Sequence, residues 1–420
     1  MGQGLMPTSS PAVGAPGTPG GTGTFSWTQS DTRRTIFAAL IIAILLAAAF
    51  IVNATNDGDT GPAFSLLVGA SLGIVFERGR FCFYCIFREA IEERKTTATL
   101  SILAAIATGA IGYAVLFGLF LPNPDGEGLP PGAHISPISL PLVAGSFAFG
   151  IGMTLSGACI SGHLYRLGQG YLRAIPALIG ALVGFGLGFF TWNTLYLRFI
   201  SEGPTLWLPR WFGYGGSVLI TLGVLALLAV VLIRMNRGDD EPRFSPSGQT
   251  LIDLRERLIV RRWGPLVTGA LVGMIGVFAY LRVAPLGVTS QLSTISRTFL
   301  DSRGALPEVM HGIDLMKGCV GVVSSAITNN GWLIIGLVLA SFASALSGNR
   351  FTPQLPSPTS ALSALAGGVL LGWGSMTALG CTVGVLLSGT QAFALSGLVF
   401  GVTAFVGVAV GLLLKLHRLA

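Results

Sequence analysis

Stretches of apolar residues long enough to cross a bilayer recur along this chain from Thr35 to Leu416. That recurrence is the strongest constraint on its fold. Lipid offers no partner to backbone N–H and C=O groups, so each stretch must be a helix that satisfies its own hydrogen bonds. Only 10% of the residues are charged, against about 25% in a soluble globular protein. We expect an all-α polytopic membrane protein with about ten spanning segments. They fall near 35–53, 62–80, 97–121, 139–158, 171–197, 213–235, 263–283, 331–348, 360–380 and 393–415. Many of the 59 glycines lie inside these runs, where small residues let helices approach closely.

Charge placement orients the chain. The 54–61 loop carries Asp57 and Asp59, and the 122–138 loop carries Asp125 and Glu127, with no Lys or Arg in either. Both read as external. Arg33 and Arg34, the Arg88–Lys95 segment, the 236–262 loop and the Lys415–Arg418 tail are basic and read as cytoplasmic, which places both termini inside. Residues 1–32 form a Gly-, Pro-, Ser- and Thr-rich tail expected to be disordered, with no cleavable signal peptide. The membrane domain then divides into a first half at 33–235, a cytoplasmic linker at 236–262 and a second half at 263–420. The linker has room for a short amphipathic helix from 249 to 262.

The two halves share a motif. Cys159 lies in Leu-Ser-Gly-Ala-Cys-Ile-Ser-Gly and Cys381 in Ala-Leu-Gly-Cys-Thr-Val-Gly. At one constant offset, Ala144, Gly145, Gly150, Gly152, Cys159, Gly162 and Gln169 match Ala366, Gly367, Gly372, Gly374, Cys381, Gly384 and Gln391. An earlier pair, the Gly69–Gly73 and Gly269–Gly273 motifs, matches as well. Under the charge-derived topology the matching spans run in opposite directions. The expectation is therefore two inverted, pseudo-symmetric halves. Two stretches, Gly79–Ala90 and Pro285–Ser293, look like re-entrant or broken half-helices, tolerated where protein or a water-filled cavity covers them. The 297–330 segment reads as an external insertion with a surface helix around 318–327.

A thiol at the same place in both copies suggests a pathway rather than packing. In an apolar setting a thiol stays neutral and is a weak, polarizable S–H donor, suited to a soft sulfur guest. Gly157, Gly162, Gly380 and Gly384 flank the two cysteines, either as packing notches or to open helix N-termini that attract anions. Cys82 and Cys85 form a Cys-x-x-Cys pair on a reducing side of the membrane, with a redox reading as the alternative. Cys85, Arg80 and His163 are secondary candidates. Arg80, Arg88, His163 and Arg166 read either as solvated ends or as an anion funnel at the inner mouth. Gln169 and Gln391 read as caps at helix starts, and Cys319 as structural. The four histidines are scattered, so no metal or other cofactor is expected. No basic stripe interleaved with aromatics points to nucleic acid.

These motifs resemble the signatures of the YeeE/YedE sulfur-transport family. The resemblance rests on Ser156–Gly170, Gly380–Gly389 and Gly79–Tyr84, in that family's order. It implies bacterial uptake of thiosulfate across the inner membrane, without enzymatic turnover. It also implies two related halves with short helices dipping in from both faces. Cys82, Cys159 and Cys381 match the three motif cysteines, which the resemblance casts as a relay of S–H···S contacts. A cytoplasmic sulfur-accepting protein is the partner it implies besides the anion and the bilayer. Cys85 and Cys319 belong to no motif of the family. The alternatives are a membrane thiol oxidoreductase working through Cys82 and Cys85, or a channel for another small solute, selenium compounds included. A soft-metal carrier is disfavoured, because the methionines form no repeated pair with the cysteines.

Overall fold

The computed structural model describes residues 29–56, 58–126, 128–236, 261–313, 316 and 320–419. Among them the chain is helical, with no strand beyond isolated bridges. In order the helices are α1 (Gln29–Thr55), α2 (Gly61–Gly79), α3 (Phe83–Arg88), α4 (Thr99–Phe120), α5 (Leu140–Ser156), α6 (Ile160–Gly168) and α7 (Ala174–Leu195). There follow α8 (Pro209–Met235), α9 (Pro265–Arg282), α10 (Ser290–Asp301), α11 (Asn329–Ser347), α12 (Pro358–Thr377), α13 (Thr382–Gly389, wound as a π-helix) and α14 (Leu395–Leu413). Among the described residues eight stretches are long and apolar enough to cross a membrane, or nine if the bent pair α12–α13 is one span. Each of the ten expected spans coincides with a long helix, but α2, at the expected span 62–80, is not among those eight or nine. The chain is a polytopic helical membrane protein.

Local chemistry sets the helix starts. Proline occupies the first turn of α2, α5, α8, α9 and α12, where its missing N–H costs nothing. The hydroxyls of Ser139, Thr328 and Ser357 accept from Leu142, Gly331 and Ser360 N–H groups at the starts of α5, α11 and α12, the usual N-cap bond. Helices α1 and α8 are peripheral. Phe37, Leu40 and Ile44 on the first, and Leu219, Leu227 and Ile233 on the second, are exposed. In a bilayer these faces meet lipid.

The interior packing comes in duplicate. Helix α2 packs on α11 and α4 on α9, while α5 packs on α14 and α7 on α12. Helices α5 and α12 pack on each other between them. Glycines make these approaches possible, and similar glycine-to-carbonyl contacts occur in both halves. Gly69 and Gly73 lie against the carbonyls of Leu333 and Leu337, and Gly269 and Gly273 against those of Ser101 and Ala105. Gly150 meets the Ala404 carbonyl, and its match Gly372 meets that of Ala181. Gly184 meets Val369 as Gly407 meets Phe147.

A buried charge network, not anticipated from the sequence, ties the end of α2 to α11. The Glu77 carboxylate accepts from Arg350 Nε at 2.6 Å and Nη2 at 2.9 Å, from Ser344 Oγ at 2.7 Å and from Gln169 Nε2 at 3.3 Å. Its side chain is fully enclosed. Gln169 thus closes the end of α6 rather than capping a helix start. Its match Gln391 lies past the end of α13 and donates to the Ala105 carbonyl at 2.9 Å.

Around Pro285–Ser293, residues 284–289 are irregular and α10 begins at Ser290, continuing to Asp301. One further expectation changes. The surface helix expected near 318–327 is absent over the described residues 320–327. There the backbone bonds to side chains of α10 instead. Gly321 N donates to Ser293 Oγ (3.0 Å), Val322 N to Thr294 Oγ1 (3.2 Å) and Ser324 N to Thr298 Oγ1 (3.0 Å). Those hydroxyls compete directly with helix hydrogen bonds. Gly318, Cys319, the tail at 1–28 and the linker helix over 249–260 lie outside the described residues.

Candidate functional site

Each motif cysteine sits at the break before a short helix. Helix α5 ends on Gly157, whose φ of 83° is left-handed, a conformation that suits glycine. The chain then passes Ala158 to an extended Cys159, which opens α6. Helix α12 ends at Ala378, Leu379 turns left-handed with φ 61°, and Gly380 leads to an extended Cys381, which opens α13. The axes of α12 and α13 bend by 41°. In the earlier motif Arg80 is left-handed at the end of α2, and an extended Cys82 precedes α3. All three cysteine carbonyls accept the first turn of the next helix, from Ile86, His163 and Val385 N–H at 3.0, 2.9 and 2.8 Å.

Donors converge on the Cys159 sulfur. Gly162 N–H points at it from 3.4 Å and Ser161 Oγ lies 3.2 Å away, with the Cys82 thiol close by. Cys85 lies in the first turn of α3, which Cys82 opens. Gly162 makes the Cys82–Cys159 meeting possible. A Cβ there would stand 2.7 Å from Cys82 Sγ and 3.4 Å from Cys159 Sγ. Gly162→Ala is therefore expected to wedge the two thiols apart at normal protein yield and to slow their oxidant-driven crosslinking about threefold to tenfold. The crosslinked fraction of monodisperse protein after extraction measures this.

Cys381 enters the same apolar cluster from the opposite elbow, with Leu142, Phe149, Met153 and Phe400. Cys82, Cys159 and Cys381 are at most 1% exposed. Above α13, His134 from the 121–139 loop holds the Gly384 carbonyl through Nδ1 at 2.7 Å. Burial keeps this imidazole below the ordinary histidine value, so at neutral pH Nδ1 carries the proton and donates. The same loop, with Tyr196, Ser201 and Met316, lines a surface cavity of about 360 Å³.

The remaining candidates divide. Cys85 is half-buried and accepts from Arg166 Nη2 at 2.8 Å. His163 is buried rather than a solvated end. Arg80 and Arg88 are exposed, and Arg88 pairs with Glu92 at 2.8 Å, so neither joins the thiols. Arg173 and His134 were missed. Arg173, at the start of α7, reads in sequence as a membrane-edge residue, and nothing in the sequence links His134 to a residue so distant. Among the described residues no group of three His, Cys, Asp or Glu side chains is placed to hold a metal.

A helical membrane bundle with paired elbows and buried sulfur at the breaks is the architecture of a small-solute transporter. The chain belongs to the Sulphur transport family, whose model matches residues 78–410. It is 25% identical over 334 residues to Thiosulfate transporter TsuA of Escherichia coli (strain K12), covering 76% of this chain and 84% of that protein. It is equally 25% identical over 347 residues to Thiosulfate transporter TsuA of Spirochaeta thermophila, covering 79% of this chain and 92% of that protein.

Proposed function

We propose that this protein carries thiosulfate, or a closely related sulfur anion, across the bacterial inner membrane by handing it along Cys381, Cys159 and Cys82. The observation that carries the reading is the set of donors around Cys159. A backbone N–H and a hydroxyl reach one sulfur in a dry core, with the Cys82 thiol close by. A guest sulfur replacing that contact inherits the same donors, and no covalent bond forms or breaks. A hard, strongly hydrated oxygen gains less from polarizable S–H groups. The shallow cavity beside His134 serves as the external entrance. The N-terminal ends of α6 and α13 supply partial positive charge at depth.

The repeated glycine contacts support two related halves, and the loop charges favour inverting them about an axis in the membrane plane, with both termini in the cytoplasm. Because the thiols are enclosed, passage requires opening at the elbows. The left-handed Gly157 and Leu379 are the points where α6 and α13 swing on their long helices. Weak binding at successive stations permits both entry and exit.

Cells without other thiosulfate importers test this directly. Cells expressing the protein are expected to accumulate ³⁵S-thiosulfate above empty-vector cells. Sulfate, which has no soft terminus, should compete at least ~10-fold more weakly than unlabelled thiosulfate. Accumulation at the vector level, or sulfate competing as well as thiosulfate, would sink the reading.

A further inference from the structure

Beside the thiols lies a cluster of cationic side chains that the relay does not use. Arg166, on α6, donates through Nη1 to the Gly157 carbonyl at 3.0 Å and through Nη2 to Cys85 Sγ at 2.8 Å. Arg173 approaches the same glycine from α7: a Cβ on Gly157 would stand 3.1 Å from its Nη1. Its Nη2 is held by the Leu155 carbonyl at 2.8 Å and Ser363 Oγ at 3.2 Å. One turn before Arg166, His163 is 4% exposed, feels the charge of both arginines, and has no hydrogen-bond partner at Nε2. The Arg173 Nε is likewise buried and unpartnered. Among the described residues neither guanidinium has a carboxylate partner. Half-buried cations without counter-charge, next to a buried imidazole with an idle nitrogen, point to an anion that comes and goes.

We infer that the α5–α6 elbow is a second station for the transported anion, where Arg166, Arg173 and His163 hold the oxyanion end while Cys85 holds the sulfur end. The inference rests on the sulfur-anion reading above and deepens it. An anion with three hard oxygens and one soft sulfur has two faces. Here a guanidinium and a thiol stand in direct contact, so one guest can touch both. The guanidinium fork suits the oxyanion, and it would bind sulfate as well. Only the thiol tells a terminal sulfur from a fourth oxygen. The site thus separates affinity, carried by the arginines, from selectivity, carried by Cys85. It gives the Cys-x-x-Cys pair a role that needs no oxidant.

The test measures KM for ³⁵S-thiosulfate and the inhibition constant of sulfate in cells making wild type, Arg166→Gln, Arg173→Gln or Cys85→Ala, each confirmed folded by its melting curve. Arg166→Gln is expected to raise both constants together about tenfold, as loss of a charged hydrogen bond implies. Cys85→Ala is expected to raise the thiosulfate KM alone, about threefold, as loss of a weak sulfur contact implies. Because Arg166 also braces Gly157, Arg173→Gln serves as the independent arginine variant and should again raise both constants. Unchanged constants in folded arginine variants, or a Cys85→Ala effect that is equal for both anions or missing, overturn the inference. Wild type without uptake would instead remove the transport reading first.

Discussion

Replacing Cys159 by serine is expected to lower thiosulfate uptake by about tenfold or more, and Cys381→Ser should do the same. The substitution keeps shape and burial but turns a soft, weak donor into a hard one. A sulfur guest then loses the contact it recognises, and the hydroxyl bonds to the neighbouring donors instead. At Cys159 those neighbours are Ser161 Oγ at 3.2 Å and Gly162 N–H at 3.4 Å, both ready to pair with a serine oxygen. A loss of one charge-assisted contact, roughly 1.5–3 kcal/mol, corresponds to about tenfold or more. Cys82→Ser should follow the same pattern, and Cys85→Ala should be the mildest of the cysteine variants. The check is initial-rate uptake normalised to folded protein, with melting temperatures matching wild type. Full uptake by folded Cys159→Ser and Cys381→Ser would leave the sulfurs as mere packing.

The second large effect is on stability, not transport. Glu77→Ala should cost about 3–5 kcal/mol, because it leaves Arg350 and Arg78 without their buried counter-charge. The carboxylate takes both arms of the Arg350 fork and the Ser344 hydroxyl, with no side-chain exposure. Arg78 Nη1 is already without a partner, so no spare acceptor stands nearby. In detergent the melting temperature should fall by roughly 10 °C, while uptake per surviving folded molecule stays near wild type. A melting curve unchanged by Glu77→Ala would mean that the pair contributes no net stability. Glu77→Leu, which refills the volume, should destabilise less than Glu77→Ala if packing accounts for part of the loss.

The long helices could be read from the sequence because lipid leaves an apolar run almost no alternative to a helix. The paired elbows could be read because Cys159 and Cys381 each keep a glycine three residues later. What stayed hidden depends on contacts remote in the chain. Glu77 and Arg350 look like ordinary membrane-edge charges until α2 and α11 are packed together. The 320–327 segment looks helical in composition, yet the Ser293, Thr294 and Thr298 hydroxyls of α10 draw its N–H groups away. His163 reads as a polar residue beside a motif. Only the fold shows that it is enclosed, with Nε2 unpartnered.

The two cysteine breaks do not carry the same sulfur. Cys82 and Cys85 accompany Cys159, whereas the stretch at 284–289, at the place expected to match theirs in the second half, holds no cysteine. In the proposed pathway a traveller therefore meets different stations from the two leaflets. The two faces then saturate at different concentrations, although no net flow arises without a gradient.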